Sequence, residues 1–564
     1  MYILGISAHH RDAAAALLID GEAVAAAREE HFTGLLRDAE VPVRATRFCL
    51  EQAGIKPSEL DHVVFYEKPL RKFERVLLHQ LKAYPRSARS FVHGAFAWLG
   101  DQLWTKNRLV KDLGVGFETV LFARHQLALA ANAYYTSPFE EAAVLTVDDA
   151  GEWATSLSCK ASGHQLETTS EVQFPHSLGL VVSAITQFLG FEPGRDEHVV
   201  ETLAPFGTPR YLDAFRALIP EASNGFTVDQ AAFRYAFDSD QLYDNSLAGH
   251  LGSPRYSGDP LLIEGDDTRH ADIACSLQAI LVERVLTLVQ DLHTKTASRN
   301  LCLAGELANN RRLIAQIADS GPFDRLFVPD APGKSGGALG AALYAHHALV
   351  PDAARAGSRH CAALGESVDK RAEPGARTLS GDPGDEILRR LLEGQRVAWV
   401  RGRVEFGACS LGNRLVLALP ARNGSPTGLR ASLQDTESFL PCRLAMSDDF
   451  ANTRLTSDPE QDLGELLARA QIRITPQDSA LQCTSESPDG TICPQVVSAE
   501  SDPELHGLLQ RIGKHTDLPV LQVDDFALRG SPLVRTEAAA VAALQRSRLD
   551  CLIVQDRLYE RRAI

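Results

Sequence analysis

The first third of the chain alternates short apolar runs with compact polar turns. "YILGISA" (2–8) and "AAALLI" (14–19) read as strands, and Asp20-Gly21 is a two-residue hairpin signal leading into a third, "EAVAAA" (22–27). A helix follows in "PVRATRFCLEQAGI" (42–55), then a strand in "HVVFYE" (62–67). The strand "AAVLTV" (142–147) runs into "DDAGEWATS", and "NLCLAG" (300–305) runs into a polar turn. "FVPDAPGKSGGALGAALY" (327–344) reads as a glycine-rich turn feeding an apolar helix. Strands that end in Gly- or Asp-rich turns, interleaved with helices, predict ligand-handling loops at the carboxyl ends of a mixed sheet.

Around residues 350–385 the composition turns to Ala, Gly, Pro and charge, which marks a break. The expected division is a domain over 1–355, a linker over 356–385 and a smaller α/β domain over 386–564. The second domain opens on the helix and strand of "ILRRLLEGQRVAWVRGRVEFG".

At 564 residues the chain exceeds what one core can serve, and length alone suggests about three or four domain-sized units. The net charge of -16 argues against nucleic acid or a membrane surface as a partner, although a local basic site can sit inside an acidic protein. Ten cysteines without a CxxC pair suit reduced thiols. The start, "MYILGISAHHRD", lacks the basic stretch and apolar core of a secretory signal, and a cytoplasmic protein is expected.

Three places carry candidate chemistry. His125 lies on the helix-like "ARHQLALAANAYYTSPF", but the position one turn on, where a second ligand would share its face, is Leu129. Asp148 and Asp149 end a strand, where carboxylates hold a cation or cap a turn. "GRVEFGACSLGNR" (402–414) offers Glu405, Arg414 and three glycines, which fit a nucleotide cradle or a plain strand–turn–helix junction. Lys334 raises its own question, because it either binds an anion in the glycine-rich turn or stands where another residue belongs.

Taken in order, "MYILGISAHHRDAAAALLIDGEAVAAAREEHFT", "SPFEEAAVLTVDDAGEWATS", "FPHSLGL", "LAPFG", "NLCLAG", "GGALGAALY", "VEFGACSLGNR" and "ALRGSPLV" resemble the NodU/CmcH carbamoyltransferases. The resemblance implies an α/β protein. Its amino-terminal domain would be of the actin/sugar-kinase type, a duplicated RNase H-type fold similar to the tRNA-threonylcarbamoyl transferase, followed by a YrdC-like domain. It also implies that ATP and carbamoyl phosphate form carbamoyl-adenylate in the second domain, and that the first, with an iron-type metal, passes the carbamoyl group to a hydroxyl.

The family's metal set maps onto His125, Leu129, Asp148 and Lys334, so two ligand positions hold other residues and Lys334 is expected to pair with Asp148. The family's "HDSAA" histidine maps onto Arg11, before Asp12, and arginine cannot accept a proton near neutral pH. Glu306 stands for a glycine in "LAGGVALN", with Gly305 and Asn310 kept. In the second domain Cys409, Thr436, Leu440, Ser487, Cys493 and Ala527 replace polar or basic family residues. Glu152, Gly305, Asn310, Glu405, Arg414 and Arg529 are the expected remnants of nucleotide or anion binding. The expectation is a family scaffold without bound metal or cofactor. It would act as partner of an intact family member or pathway enzyme, or else as a homodimer, with neither nucleic acid nor membrane as partner. The alternative is a metal-independent acyl or carbamoyl transferase that uses ATP, with Arg11, Asp12 and Lys334 in an altered site.

Overall fold

A computed structural model describes residues 1–88, 90–91, 102–263, 265, 267–350, 362–368, 372–407, 409–420, 429–433, 440–455 and 463–561. The chain divides into two compact units. The first comprises 1–26 and 39–359, the second 27–38 and 360–564.

The first unit repeats one sheet design. β1 (Tyr2–Ser7), β2 (Ala14–Ile19), β3 (Glu22–Arg28), β4 (His62–Phe65) and β5 (Val120–Phe122) form a sheet in the order β3-β2-β1-β4-β5. β6 (Glu141–Val147), β7 (Ala154–Ser162) and β8 (Gln165–Gln173) follow, then a two-stranded ladder of β9 (Glu221–Ala222) and β10 (Gly225–Phe226). With β11 (Asn300–Ala304) and β12 (Arg325–Phe327) they make the second sheet, β12-β11-β6-β7-β8. In each sheet the leading strand pairs antiparallel with the next one and parallel with the strand returning on its other side. This is the duplicated architecture the motifs imply.

The expected hairpin is present, with Asp20 and Gly21 both at positive φ (50° and 87°), the geometry that two-residue turns between twisted strands require. The glycine-rich stretch after Lys334 serves packing rather than a phosphate. The helix Gly336–Leu349 lies against the wholly buried helix His125–Tyr135, and a Cβ at Gly340 would sit 1.9 Å from the Ala128 carbonyl oxygen. The sequence left open whether this turn binds an anion or holds a replaced residue, and the helix it opens is packed closely on its neighbour.

The second unit is one eight-stranded mixed sheet. Its strands are β13 (Arg377–Thr378), β14 (Val397–Val400), β15 (Arg414–Ala418), β16 (Arg443–Ser447), β17 (Pro494–Val497), β18 (Val520–Asp525), β19 (Cys551–Val554) and β20 (Arg557–Glu560). Their order is β13-β20-β19-β14-β15-β18-β16-β17. Strand alternation divides the core between two faces. Val397, Trp399, Leu415 and Leu417 pack against the helices Pro383–Leu392 and Pro503–Thr516, while Ala398, Val400 and Val416 face Glu537–Arg546.

Two boundaries differ from expectation. Part of the supposed linker is folded into the second unit. Arg377–Thr378 is a strand, the helix starts at Pro383, and Gly365 and Val368 donate backbone bonds to Val404 and Gly402. Its residues 356–361 and 369–371 lie outside the described residues. Conversely, residues 27–38 belong to the second unit, where Arg535 Nε donates to the His31 carbonyl at 3.0 Å and stacks over Phe32. Composition marks polar, small residues as linker, but backbone hydrogen bonds decide membership.

Burial, with Arg28, Arg414 and Arg535 around it, pushes the His31 imidazole down to about 3. The unfolded chain therefore binds a proton below about pH 6.5 that the folded unit excludes. This single group should remove about 2 kcal/mol of stability between pH 7 and pH 5. Urea unfolding of a His31→Gln variant at both pH values should show that loss abolished.

Candidate functional site

In the first unit, strand ends deliver charged side chains to one cluster. β1 leads into the loop 9–12, β4 into Tyr66 and Glu67, β6 into Asp148 and Asp149, and β11 into Gly305 and Glu306. Lys334 precedes the helix Gly336–Leu349, and His125 begins the helix His125–Tyr135.

Asp148 is fully buried and shared. Lys334 Nζ lies 3.2 Å from each of its carboxylate oxygens, His125 Nε2 lies 2.5 Å from Oδ2, and the Glu306 backbone N–H donates to Oδ1 at 3.2 Å. Burial alone would raise the Asp148 carboxyl, but Lys334 and His125 outweigh it and hold the group well below the usual carboxylate range. Burial would likewise discharge Lys334, yet Asp148, Asp149 and Glu306 hold it above its ordinary value. The pair expected from the sequence is formed as a buried ion pair.

A second layer extends it. Lys334 Nζ is 3.3 Å from Asp149, and Arg11 bridges Asp149 (2.9 Å) and Glu306 (3.5 Å). Glu306 Oε1 also accepts the Lys334 backbone N–H at 3.2 Å. Arg11 thus acts as a fixed cation between carboxylates. Asp12 lies in the same loop at φ 64°, with His9 at φ 66°, left-handed values that cost side-chain-bearing residues energy and mark a constrained turn.

The expected nucleotide remnants of this unit hold loops together. Glu152 accepts the backbone N–H of Lys68 (2.8 Å) and of His125 (3.1 Å), placing a carboxylate at a helix N-terminus. Asn310 caps the helix Arg311–Ser320 through the Leu313 N–H at 2.8 Å. Gly305 takes φ 94° at the end of β11, where a Cβ would meet the Val147 carbonyl oxygen at 2.2 Å.

An iron-type metal does not fit these residues. Its charge position is taken by the Lys334 ammonium, Leu129 presents buried hydrocarbon, and His125 Nε2 is engaged by Asp148 itself. His125 and Asp148 are bonded to each other, and the neighbouring Asp149 and Glu306 carboxylates are engaged by Lys334 and Arg11, so no free set of donors among the described residues converges on one point.

Around the cluster lie further buried polar groups, of which His10, Tyr66 and Lys72 were not singled out in the sequence. His10 Nε2, Tyr66 Oη and His125 Nδ1 are buried without a hydrogen-bond partner among the described residues. Lys72, burial and Lys334 together keep His10 neutral, well below its ordinary range. Lys72 pairs with Glu67 at 2.8 Å, and the Arg75 guanidinium stacks 4.3 Å over Phe174. The signal was present as Lys72, Arg75 and His79 spaced to share a helix face.

In the second unit Glu405 organises the loop that follows it, and Asp525 and Arg443 bond Ser410 from outside. Glu405 Oε1 accepts Ser410 Oγ (2.6 Å) and the backbone N–H groups of Leu411, Gly412 and Asn413 (3.1, 3.1 and 2.7 Å). Arg414, fully buried, donates to the Val534 and Asn413 carbonyls at 2.8 and 2.9 Å. These bonds fix the loop as a strand–turn junction, and Glu405, Leu411, Gly412 and Asn413 of the same loop line a cavity. Arg529 is exposed after β18, and Thr436 lies outside the described residues. A cavity of about 930 Å³ opens beside this loop, lined by Trp399, Arg401, Asn413, Gln495, Asp502 and Arg511. Arg401 pairs there with Asp502 and, at 2.8 Å, with Glu504, while Arg511 pairs with Asp382 and Asp385.

The duplicated sheets of the first unit and the single mixed sheet of the second define a two-domain α/β protein. The carbamoyltransferase N-terminus family matches residues 2–343 and the carbamoyltransferase C-terminus family residues 388–561, and the chain belongs to the carbamoyltransferase family. It is 33% identical to an uncharacterized protein, sll1178, of Synechocystis sp., over 98% of this chain and 96% of that one. It is 28% identical to nodulation protein NolNO of Sinorhizobium fredii, over 98% of this chain and 79% of that one. Among solved structures it is similar to component A of the (R)-2-hydroxyglutaryl-CoA dehydratase of Acidaminococcus fermentans, at 13% identity and TM-score 0.34, over 62% of this chain and 98% of that one.

Removing one member of a buried pair strands the other charge, at about 3–5 kcal/mol. Lys334→Met should lower unfolding stability by about that amount, and adding Asp148→Asn should recover part of it. Denaturant midpoints of the two variants against the parent protein test this.

Proposed function

We propose that this carbamoyltransferase-family chain acts as the non-catalytic partner of an active carbamoyltransferase or of another enzyme in its pathway. The observation that carries this reading is the buried Lys334–Asp148 pair, with Nζ at 3.2 Å from both oxygens, in the place the family resemblance gives to a metal. Arg11 in place of a basic histidine supports it, as does the loop 405–414, where Glu405 Oε1 already accepts the backbone N–H groups of Leu411, Gly412 and Asn413. Polyanions such as ATP and carbamoyl phosphate depend on charge-assisted bonds, and Arg401 and Arg511 beside that loop are already engaged by carboxylates.

A second reading, a metal-independent transferase that uses ATP, is favoured by His10. Its Nε2 is buried and unpartnered in the constrained loop beside Arg11, where it could accept a bond from a substrate hydroxyl.

One assay separates the two. The purified chain, given ATP and carbamoyl phosphate, should release no pyrophosphate above background. Release without bound metal would favour the second reading, and release with bound iron would overturn both. A Leu129→His, Lys334→Asp variant should gain near-stoichiometric ferrous iron, measured by metal analysis after dialysis. A variant that folds without taking up iron would remove the equivalence of Lys334 with the family's metal position.

A further inference from the structure

The helix Pro69–Lys82 is turned inside out. Its charged residues Lys72, Arg75 and His79 are buried against the site, while Leu70, Leu78, Leu81 and the following Tyr84 face outward, with Leu70, Leu81 and Tyr84 at 71%, 59% and 74% exposure. Trp104, on the short Gln102–Trp104 turn that packs against this helix, is 57% exposed. Isolated exposed leucines are ordinary, but a row of them on one helix beside exposed Tyr and Trp marks a binding surface.

Charge identifies the occupant. Exposed Lys68, Arg71, Lys82 and Arg86 flank the leucines, with Glu74 as the exposed acid on the helix. Arg71 pairs with Glu74 at 3.4 Å, so this exposed face carries four cations against one acid, inside a chain of net charge -16. The net charge therefore hides a basic, apolar segment. Leucines with aromatic and basic neighbours are the pattern of helices lying in a lipid headgroup layer. No helix among the described residues is long and apolar enough to cross a membrane, so binding would be at the surface.

We propose that this face docks the protein on an anionic phospholipid surface, with Leu70, Leu78, Leu81 and Tyr84 entering the headgroup region and the flanking lysines and arginines contacting lipid phosphates. This opposes the expectation, drawn from net charge, that no membrane is involved, and it is independent of whether the site turns over.

Flotation of the full chain with vesicles tests it. The protein should float with phosphatidylcholine–phosphatidylserine vesicles, less with phosphatidylcholine alone, and less again as salt is raised. Arg71→Gln should weaken partitioning about fivefold, as expected for one basic residue at a charged surface. Leu70→Glu with Leu81→Glu should abolish flotation while circular dichroism and thermal midpoint stay near the parent values. If those substitutions harm folding, Leu70→Ser with Tyr84→Ser is the milder test and should reduce flotation at least tenfold. Failure to float with anionic vesicles, or unchanged flotation in the leucine variants, overturns the proposal. So does a parent oligomer, seen by light scattering, that the leucine variants dissociate, because the face would then be a protein interface.

Discussion

The shared carboxylate of Asp148 is the constraint on which the first unit depends. A lone carboxylate at full burial would cost several kcal/mol. Here it is met by an ammonium, an imidazole and a backbone N–H drawn from three separate stretches of chain. Satisfying one group therefore fixes the end of β6, the start of the helix His125–Tyr135, the turn after β11 and the turn before Gly336 against one another. A divalent cation could tie such segments together with more charge and more ligands. Lys334 does so with one charge, and this is compatible with Leu129 offering no donor.

The second unit shows the same economy of charge in another form. Arg443, fully buried, donates to Asp525 Oδ1 and to the Ser410 carbonyl, each at 2.6 Å. Glu405 occupies the backbone N–H groups that a phosphate would otherwise seek. An incoming polyanion must displace carboxylates already within hydrogen-bond distance, and each charge-assisted bond broken offsets about 1.5–3 kcal/mol of the bond gained.

Much of this was legible in the sequence, and the rest was hidden for definite reasons. Strands, the Asp20-Gly21 hairpin and the Lys334–Asp148 pair follow from local patterns and from motif order. The role of Gly340 was not, because a glycine spaced for a phosphate loop looks the same as one spaced for close helix packing until the neighbouring helix is known. For Glu405 and Arg414 the sequence left a cradle and a junction both open, because side-chain type does not reveal whether a backbone stands ready to receive it. Residues 27–38 were placed with their sequence neighbours, although Arg535, some 500 positions away, binds the His31 carbonyl.

The helix Pro69–Lys82 was the least legible element, since its amphipathic pattern is inverted. An amphipathic helix ordinarily buries leucines because apolar burial is favourable and charge burial is not. Here the opposite orientation holds because the site supplies the compensation. Glu67 pairs with Lys72, Glu67 and Glu152 offset the buried Arg75 charge, and Phe174 stacks beneath the guanidinium. Burial still draws Arg75 down to about 10 and lowers Lys72, so the compensation is incomplete. The outward leucines are thus displayed at the expense of the charge network behind them. Neutralising Glu67 would remove the reason for this orientation, which makes the apolar face a property of the site as much as of the helix.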